Sequence, residues 1–366
     1  MDTAATAATA AAATSPSAAA ATAVAAAARD RFPPADGHLD AATSGLPPLA
    51  SVEATREAVD LWAAGRVDGT RFDRDVERAR RAFATILGVP AEEVACGNAV
   101  SVFAGLVAAS VPAGAEILIV AGDFTSVVFP MLVQADRGVR VREVPLDRIA
   151  EAIGSRTALV AVSAVQSADG GICDLDALAR AAAHHGADVF LDVTQAAGWL
   201  PIDGTRFTYV CGGAYKWLLA PRGTALMRVS PAASERLRPH TAGWYAAADP
   251  WAACYGGPLR LPATAKRFDV SPAWTCWAGT APSLELVAEL GAEAIGAHDR
   301  ALAGRLRVGL GLPPSDSAIV TVERPGAAER LARAGIRASV RAGRVRLSCH
   351  LPAGTDDIDR AIAALS

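Results

Sequence analysis

Val189-Phe190-Leu191-Asp192-Val193-Thr194-Gln195 and, further on, Gly212-Gly213-Ala214-Tyr215-Lys216-Trp217-Leu218-Leu219-Ala220-Pro221-Arg222-Gly223 decide how this chain folds. The first is a short apolar run ending in an acid. The second sets a lysine in a glycine-flanked turn between the apolar runs Thr208–Cys211 and Thr224–Val229. Short runs that are apolar at nearly every position suit strands buried on both faces. Working outward, similar runs occur at Val94–Cys96, Glu116–Val120, Val139–Val144 and Ala158–Ala164. Helical patterns near 99–110, 125–136, 146–154 and 174–185 separate them, the last with Asp174 as N-cap and Gly186 as stop. Strands alternating with helices predict an α/β fold built on a mostly parallel sheet with both faces covered.

The flanks read differently. Residues 51–64 and 70–87 carry helical periodicity with many charges, whereas 230–275 are turn-rich and aromatic. A long helical pattern covers 280–307. It is followed by a strand at 318–323, a helix at 326–334, strands at 336–340 and 344–349, and a closing helix at 355–365 capped by Thr355. The expected division is an Ala-rich mobile tail (1–30), an N-terminal segment (31–50), a large domain (51–280) and a small α+β domain (281–366).

Composition narrows the function. A chain of 366 residues, 52% of them apolar, can bury a large core. A net charge of -3 leaves no electrostatic footprint for nucleic acid or an anionic membrane. No run approaches the length of a spanning helix, and the first thirty residues lack the basic start and apolar centre of a secretory signal. Six cysteines (96, 173, 211, 254, 276, 349) are scattered without metal-like spacing. Free thiols in the cytoplasm, with no metal, are expected.

An acid at a strand end and a lysine in a guarded turn suit pyridoxal 5′-phosphate. Lys216 would hold the aldehyde as a Schiff base, its pKa lowered by partial burial. Asp192 would keep the pyridine nitrogen protonated: at about 3 Å in an effective dielectric near 20, the attraction is roughly 5 kcal/mol. The plain alternative for Asp192 is a cap on the following segment. Gln195 would donate to the phenolic oxygen of the cofactor. Cys96-Gly97-Asn98-Ala99-Val100-Ser101 is the candidate phosphate cradle, a strand end opening into a helix whose free amides favour a dianion, with Asn98, Ala99 and Val100 as ligands; taken alone it reads as a Gly-Asn turn capping an ordinary helix. Phe124 either stacks on the ring or fills the core. Gly213, in the glycine pair before the lysine, belongs to the same set.

Arg344-Val345-Arg346-Leu347-Ser348-Cys349-His350 alternates with period two, putting Arg346, Ser348 and His350 on one face. Arg346 either clamps a substrate carboxylate, with His350 as helper, or faces solvent. Trp244, Tyr245, Trp251 and Trp274 form either an aromatic substrate entrance or a packed core between domains.

Together with Leu39-Asp40-Ala41-Ala42-Thr43-Ser44-Gly45-Leu46-Pro47-Pro48, these motifs resemble the class V aminotransferase family, fold-type-I pyridoxal phosphate enzymes that include cysteine desulfurases and isopenicillin-N epimerase-like proteins. The resemblance runs from about residue 38 to 365. It implies a large domain around a mixed seven-stranded sheet, a small C-terminal domain, and a homodimer with sites at its interface. It also implies that Ser271, in Arg267-Phe268-Asp269-Val270-Ser271-Pro272, reaches the neighbouring subunit's phosphate, that Tyr215 lies on the phosphate side, and that Ser167 lines the substrate side. Residues 335–345 lack the desulfurase cysteine, and Phe124 and Tyr215 stand where desulfurases carry histidines. The expected activity on an amino acid or amine is transamination first, β-elimination of a cysteine conjugate by a carbon–sulfur lyase second, and epimerisation third. A non-catalytic protein on this fold would have lost the lysine, the acid or the phosphate turn.

Overall fold

A computed structural model describes residues 23–24, 27–28, 30–34 and 36–366. All seven apolar runs are strands: β1 (Val94–Gly97), β2 (Glu116–Val120), β3 (Arg140–Val144), β4 (Thr157–Ser163), β5 (Asp188–Asp192), β6 (Tyr209–Gly213) and β7 (Ala225–Val229). They form one sheet in the order β1-β7-β6-β5-β4-β2-β3. β7 runs antiparallel to both neighbours, and the remaining pairs are parallel.

Side-chain alternation divides the sheet's apolar residues between two layers. Leu118, Val120, Val160, Val162, Val189 and Leu191 face one core, and Ile117, Ile119, Leu159, Ala161 and Phe190 face the other. Helices cover both. α1 (Leu49–Ala63) and α2 (Gly69–Leu87) come first, then α3 (Val100–Ser110), α4 (Thr125–Leu132), α5 (Ile149–Ala152), α6 (Leu175–His185) and α7 (Pro231–Arg236). Asp174 caps α6 through the Ala177 amide at 2.8 Å, and Gly186 ends it at φ 69°.

The long C-terminal helical pattern is two helices, α8 (Trp274–Leu290) and α9 (Ala292–Leu310), broken at Gly291 with φ 78°. A periodic pattern can cross such a break, because a left-handed glycine redirects the axis without disturbing the spacing of apolar residues. Leu284, Val287 and Ile295 pack in the main core, so the expected boundary at 281 falls inside a helix of the large body. The smaller core starts within α9, at Leu302, and takes in β8 (Ile319–Val322), α10 (Ala327–Arg333), β10 (Arg344–Ser348) and α11 (Thr355–Leu365). β10 lies between β8 and β9 (Ser339–Arg341), antiparallel to both. Gly354, one residue before Thr355, is the N-cap of α11.

The segment after residue 36 ties the two cores together. His38 bridges to Arg337 and Asp40 to Ser348, while Leu39 is fully buried in the small core. Most of the Ala-rich stretch lies outside the described residues. Its described part departs from the expected mobile tail: Val24 and Ala28 are helical and buried in the main core.

Candidate active site

The carboxyl ends of the strands converge on a cavity of about 220 Å³, the place where open α/β sheets bind ligands. β1 delivers Asn98, Ala99 and Val100, β2 delivers Phe124, β4 delivers Ser167, β5 delivers Asp192 and Gln195, and β6 delivers Gly213, Tyr215 and Lys216. Ten residues predicted from widely separated motifs thus line one space.

Lys216 is 6% exposed, and its Nζ lies 5.2 Å from the centroid of the Phe124 ring. Burial pulls its pKa down to about 8. Asp192 opposes the shift, and the positive charges of Arg346, Arg341 and Arg222 add to it. The turn that carries it is held from both sides. Leu219 adopts φ 60°, uncommon for a branched residue, and its amide bonds back to the Lys216 carbonyl at 3.0 Å. Gly45 donates to the Tyr215 carbonyl at 2.9 Å, and a Cβ there would stand 2.0 Å from the Lys216 oxygen. Only glycine allows that approach.

Asp192 is 5% exposed, and burial raises its pKa to about 6 against the hydrogen bonds from Thr194. The amide and hydroxyl of Thr194 both donate to Oδ1. Among the described residues no hydrogen bond falls on Oδ2. The cap is therefore a local two-residue turn, and a second oxygen of an ionised, buried carboxylate is left over. A protonated pyridine nitrogen is a donor that fits it. The neighbouring Asp123 accepts from the Phe124 amide at 2.6 Å, from the Ser163 amide at 2.8 Å and from the Ser163 hydroxyl at 2.6 Å, fixing where Phe124 enters the cavity. Phe124 is 44% exposed, which removes the core alternative.

At the other end of the cavity, α3 starts at Val100 with Ala99 as N-cap. Its first amides have no partner inside the helix and open on the lining formed by Asn98, Ala99, Val100 and Ser101. Arg222 also lines this space, its guanidinium carbon 4.7 Å from the Tyr215 ring centroid.

Four predicted residues lie elsewhere. Arg346 is buried behind Ser167, donating Nη1 to its carbonyl at 2.6 Å and to its hydroxyl at 3.0 Å, and Nη2 to Thr43 Oγ1 at 2.8 Å. Ser271 is exposed and outside the cavity, next to Val270, whose amide donates to the Cys96 carbonyl at 3.2 Å. His350 does not face a substrate. Its Nδ1 meets Asp299 at 2.8 Å and its Nε2 meets the Trp217 carbonyl at 3.0 Å, so both ring nitrogens are occupied in the core. The period-two argument fails there because β10 ends at Ser348. Trp244 packs against Tyr245 and Trp251, with centroids 5.2 and 5.1 Å away, in an aromatic cluster apart from the cavity. Gln195 lines the cavity, but its amide already donates to the Ala42 carbonyl and to Ser167 Oγ, both at 3.0 Å, and its oxygen accepts from Trp217 at 2.7 Å. The amide hydrogens assigned to a cofactor oxygen are spent on holding three segments together.

A family model described as "Aminotransferase class-V" matches residues 39–326. The chain belongs to that family. Its cofactor is pyridoxal 5′-phosphate, and the leftover Asp192 oxygen, the buried amine and the open helix amides fit that group. Among curated proteins it is similar to an uncharacterized aminotransferase, YcbU, of Bacillus subtilis (strain 168), 26% identical over 74% of this chain and 75% of that protein. It is also similar to isopenicillin N epimerase of Streptomyces clavuligerus, 30% identical over 63% of each chain. Among solved structures, the cystine C–S lyase C-DES in complex with its product cysteine persulfide superposes with a TM-score of 0.81 at 20% identity, over 90% of this chain and 97% of that one. The cysteine desulfurase CsdA of Escherichia coli gives 0.79 at 21% identity, over 93% and 97%. The likeness to solved structures establishes fold type I. Among the described residues no helix is long and apolar enough to cross a membrane, and no cluster of His, Cys, Asp and Glu could hold a metal ion.

Proposed function

We propose that this protein is an aminotransferase that takes an amino acid or amine on pyridoxal phosphate bound through Lys216. The observation that carries the reading is the pairing, in one cavity, of a buried amine with pKa near 8 and a buried carboxylate with one oxygen unclaimed. When bound, pyridoxal phosphate supplies a ring that accepts the electron pair left by loss of a substrate proton.

The chain's own residues do the rest. Asp192 Oδ2 would hold the pyridine nitrogen in its charged form, with Thr194 keeping the carboxylate rotamer by binding Oδ1. Asn98 and the amides of Ala99 and Val100 would hold the phosphate, with Gly213 and Tyr215 beside them. Phe124 would cover the ring, and Ser167 would line the substrate side. Lys216 Nζ, neutral for an appreciable fraction of the time near pH 8, would take the proton from the substrate α-carbon and deliver it to the cofactor carbon, as transfer of the amine requires. Arg346, behind Ser167 and outside the cavity lining, would orient the substrate through its carboxylate by exchanging the Ser167 oxygens for it. Its nearest described carboxylate, Asp40, is 3.9 Å away, and burial lowers its pKa to about 10, which favours arrival of an anion.

We also infer a homodimer. Ser271 is exposed and outside its own cavity, and a second copy is where its hydroxyl would serve. The cytoplasm, where free thiols stay reduced, is the proposed compartment.

β-Elimination is the second reading, favoured by the superposition on a C–S lyase; epimerisation, favoured by the similarity to isopenicillin N epimerase, is the third. Incubation of the cofactor-loaded protein with amino donors and cysteine conjugates separates them. Keto acid formed only with an amino acceptor present supports transamination. Pyruvate released without an acceptor replaces it with the lyase, and racemised substrate replaces it with the epimerase. No visible band after addition of pyridoxal phosphate rejects all three.

A further inference from the structure

β9 and β10 form a hairpin joined by Ala342 at φ 46° and Gly343 at φ 76°, two residues in the left-handed conformation of a tight turn. That turn fixes the register, pairing Arg341 with Arg344 and Ser339 with Arg346. Directly paired residues of antiparallel strands point to the same side. Ser339, Arg341, Arg344 and Arg346 therefore share one face, on the side where Ser167 and Thr43 lie.

Three guanidinium groups on one face repel one another unless anions separate them. Arg344 has Asp169 at 4.0 Å, and Arg346 has Asp40 at 3.9 Å. Arg341 has no carboxylate within ion-pair distance among the described residues. Its Nη2 donates to Thr43 Oγ1 at 3.2 Å, the same oxygen that accepts from Arg346 Nη2 at 2.8 Å. One neutral hydroxyl thus bridges two like charges. Around it, Asp40 Oδ1, Arg346 Nε and Ser339 Oγ are buried without hydrogen-bond partners. The charge of Arg341 also pushes the pKa values of Arg346 and Lys216 down, placing all three in one electrostatic neighbourhood. A single α-carboxylate on Arg346 would leave the exposed Arg341 unmatched.

We propose that the substrate is an amino acid with a second anionic group, its α-carboxylate on Arg346 and its distal anion on Arg341. This rests on the function proposed above, which by itself requires only one carboxylate. A planar five-donor guanidinium held beside its twin suits a distal carboxylate, sulfinate or phosphate, which share the chemistry of several oxygens on one anionic centre. Thr43 sets the spacing between the two arginines, and Ser339 supplies a further donor between them.

The test is calorimetric binding of amine-free analogues to the cofactor-loaded full chain, comparing glutarate with butyrate in wild type, Arg341→Gln and Arg341→Lys. Glutarate is expected to bind at least about tenfold more tightly than butyrate. The ratio is expected to collapse towards one in Arg341→Gln and to survive in part in Arg341→Lys. Equal binding of the two acids by wild type, or a preference that persists in Arg341→Gln, overturns the proposal. These outcomes can be read even if no amino acid perturbs the visible band of the cofactor, a result that would instead overturn the assigned function.

Discussion

Two fully buried arginines show how differently the same side chain can be partnered. Arg80 on α2 donates to the Val94 carbonyl and to both oxygens of Asp269, at 3.3 and 2.6 Å. Burial opposes its charge, but Asp269 outweighs it, and its pKa is raised well above the usual value. Asp269 in turn accepts from the Cys96 amide at 2.7 Å, so this pair sets the end of β1 and the phosphate turn beyond it. Arg346, equally hidden, hydrogen-bonds only to neutral oxygens, with its carboxylate, Asp40, standing off at 3.9 Å, and burial drives its pKa the other way. A buried charge with its partner in hydrogen-bond contact holds structure together; one whose carboxylate stands off at 3.9 Å is, in the proposed function, the one open to a ligand.

Breaking the first pair should have the largest effect on folding. Asp269→Ala leaves Arg80 buried and uncompensated, and is expected to cost about 3–5 kcal/mol in chemical denaturation, with loss of cofactor affinity as the phosphate turn loosens. Arg346→Gln removes a charge whose carboxylate, Asp40, stands 3.9 Å away, together with its hydrogen bonds to Ser167 and Thr43. Stability should fall by about 1–3 kcal/mol, less than for Asp269→Ala, while kcat/KM for a carboxylate-bearing substrate falls by about a hundredfold. If the two variants behave alike in denaturation, the distinction between scaffold and receptor is wrong.

The same contrast carries a pH signature. Lys216 must lose its proton to attack the cofactor aldehyde, so the rate of cofactor capture should rise with pH through about 8 and then level off. Arg346 helps depress that value, so Arg346→Gln should move the midpoint upward. Arg80 is not among the groups acting on Lys216, and a change at Asp269 should leave the midpoint where it is. Stopped-flow absorbance across pH 6–10 (roughly two units on either side of the midpoint) reads both. The smallest effect belongs to Phe124→Leu. Losing a stacked ring should weaken cofactor binding by about two- to tenfold, with the protein still coloured.

Most of the sheet was legible because six of its seven strands are almost wholly buried and leave short apolar runs; β3, an edge strand that is largely exposed, left a weaker one. Lys216 and Asp192 were legible because chemistry put each at the end of such a run. The break at Gly291 was not, since helical spacing continues across it. His350 was placed with Arg346 by counting alternate residues beyond the point where β10 stops. Thr43, Thr194 and Asp123, which fix Arg346, Asp192 and Phe124, were missed as well. Hydroxyls and a second acid carry no spacing signal, and their partners come from distant segments. Only the Asp-x-Thr spacing of Asp192 and Thr194 offered a local hint, because short polar side chains often accept from or donate to a residue two positions away.

The account stands or falls on the bond at position 216. Borohydride reduction of the cofactor-loaded protein, followed by peptide mass spectrometry, locates the attached group. The pyridoxyl label is predicted on the peptide containing Lys216, absent from Lys216→Ala, and reduced in yield in Asp192→Ala. A label on Lys266, or none at all on a protein that still turns over amino acids, would contradict it.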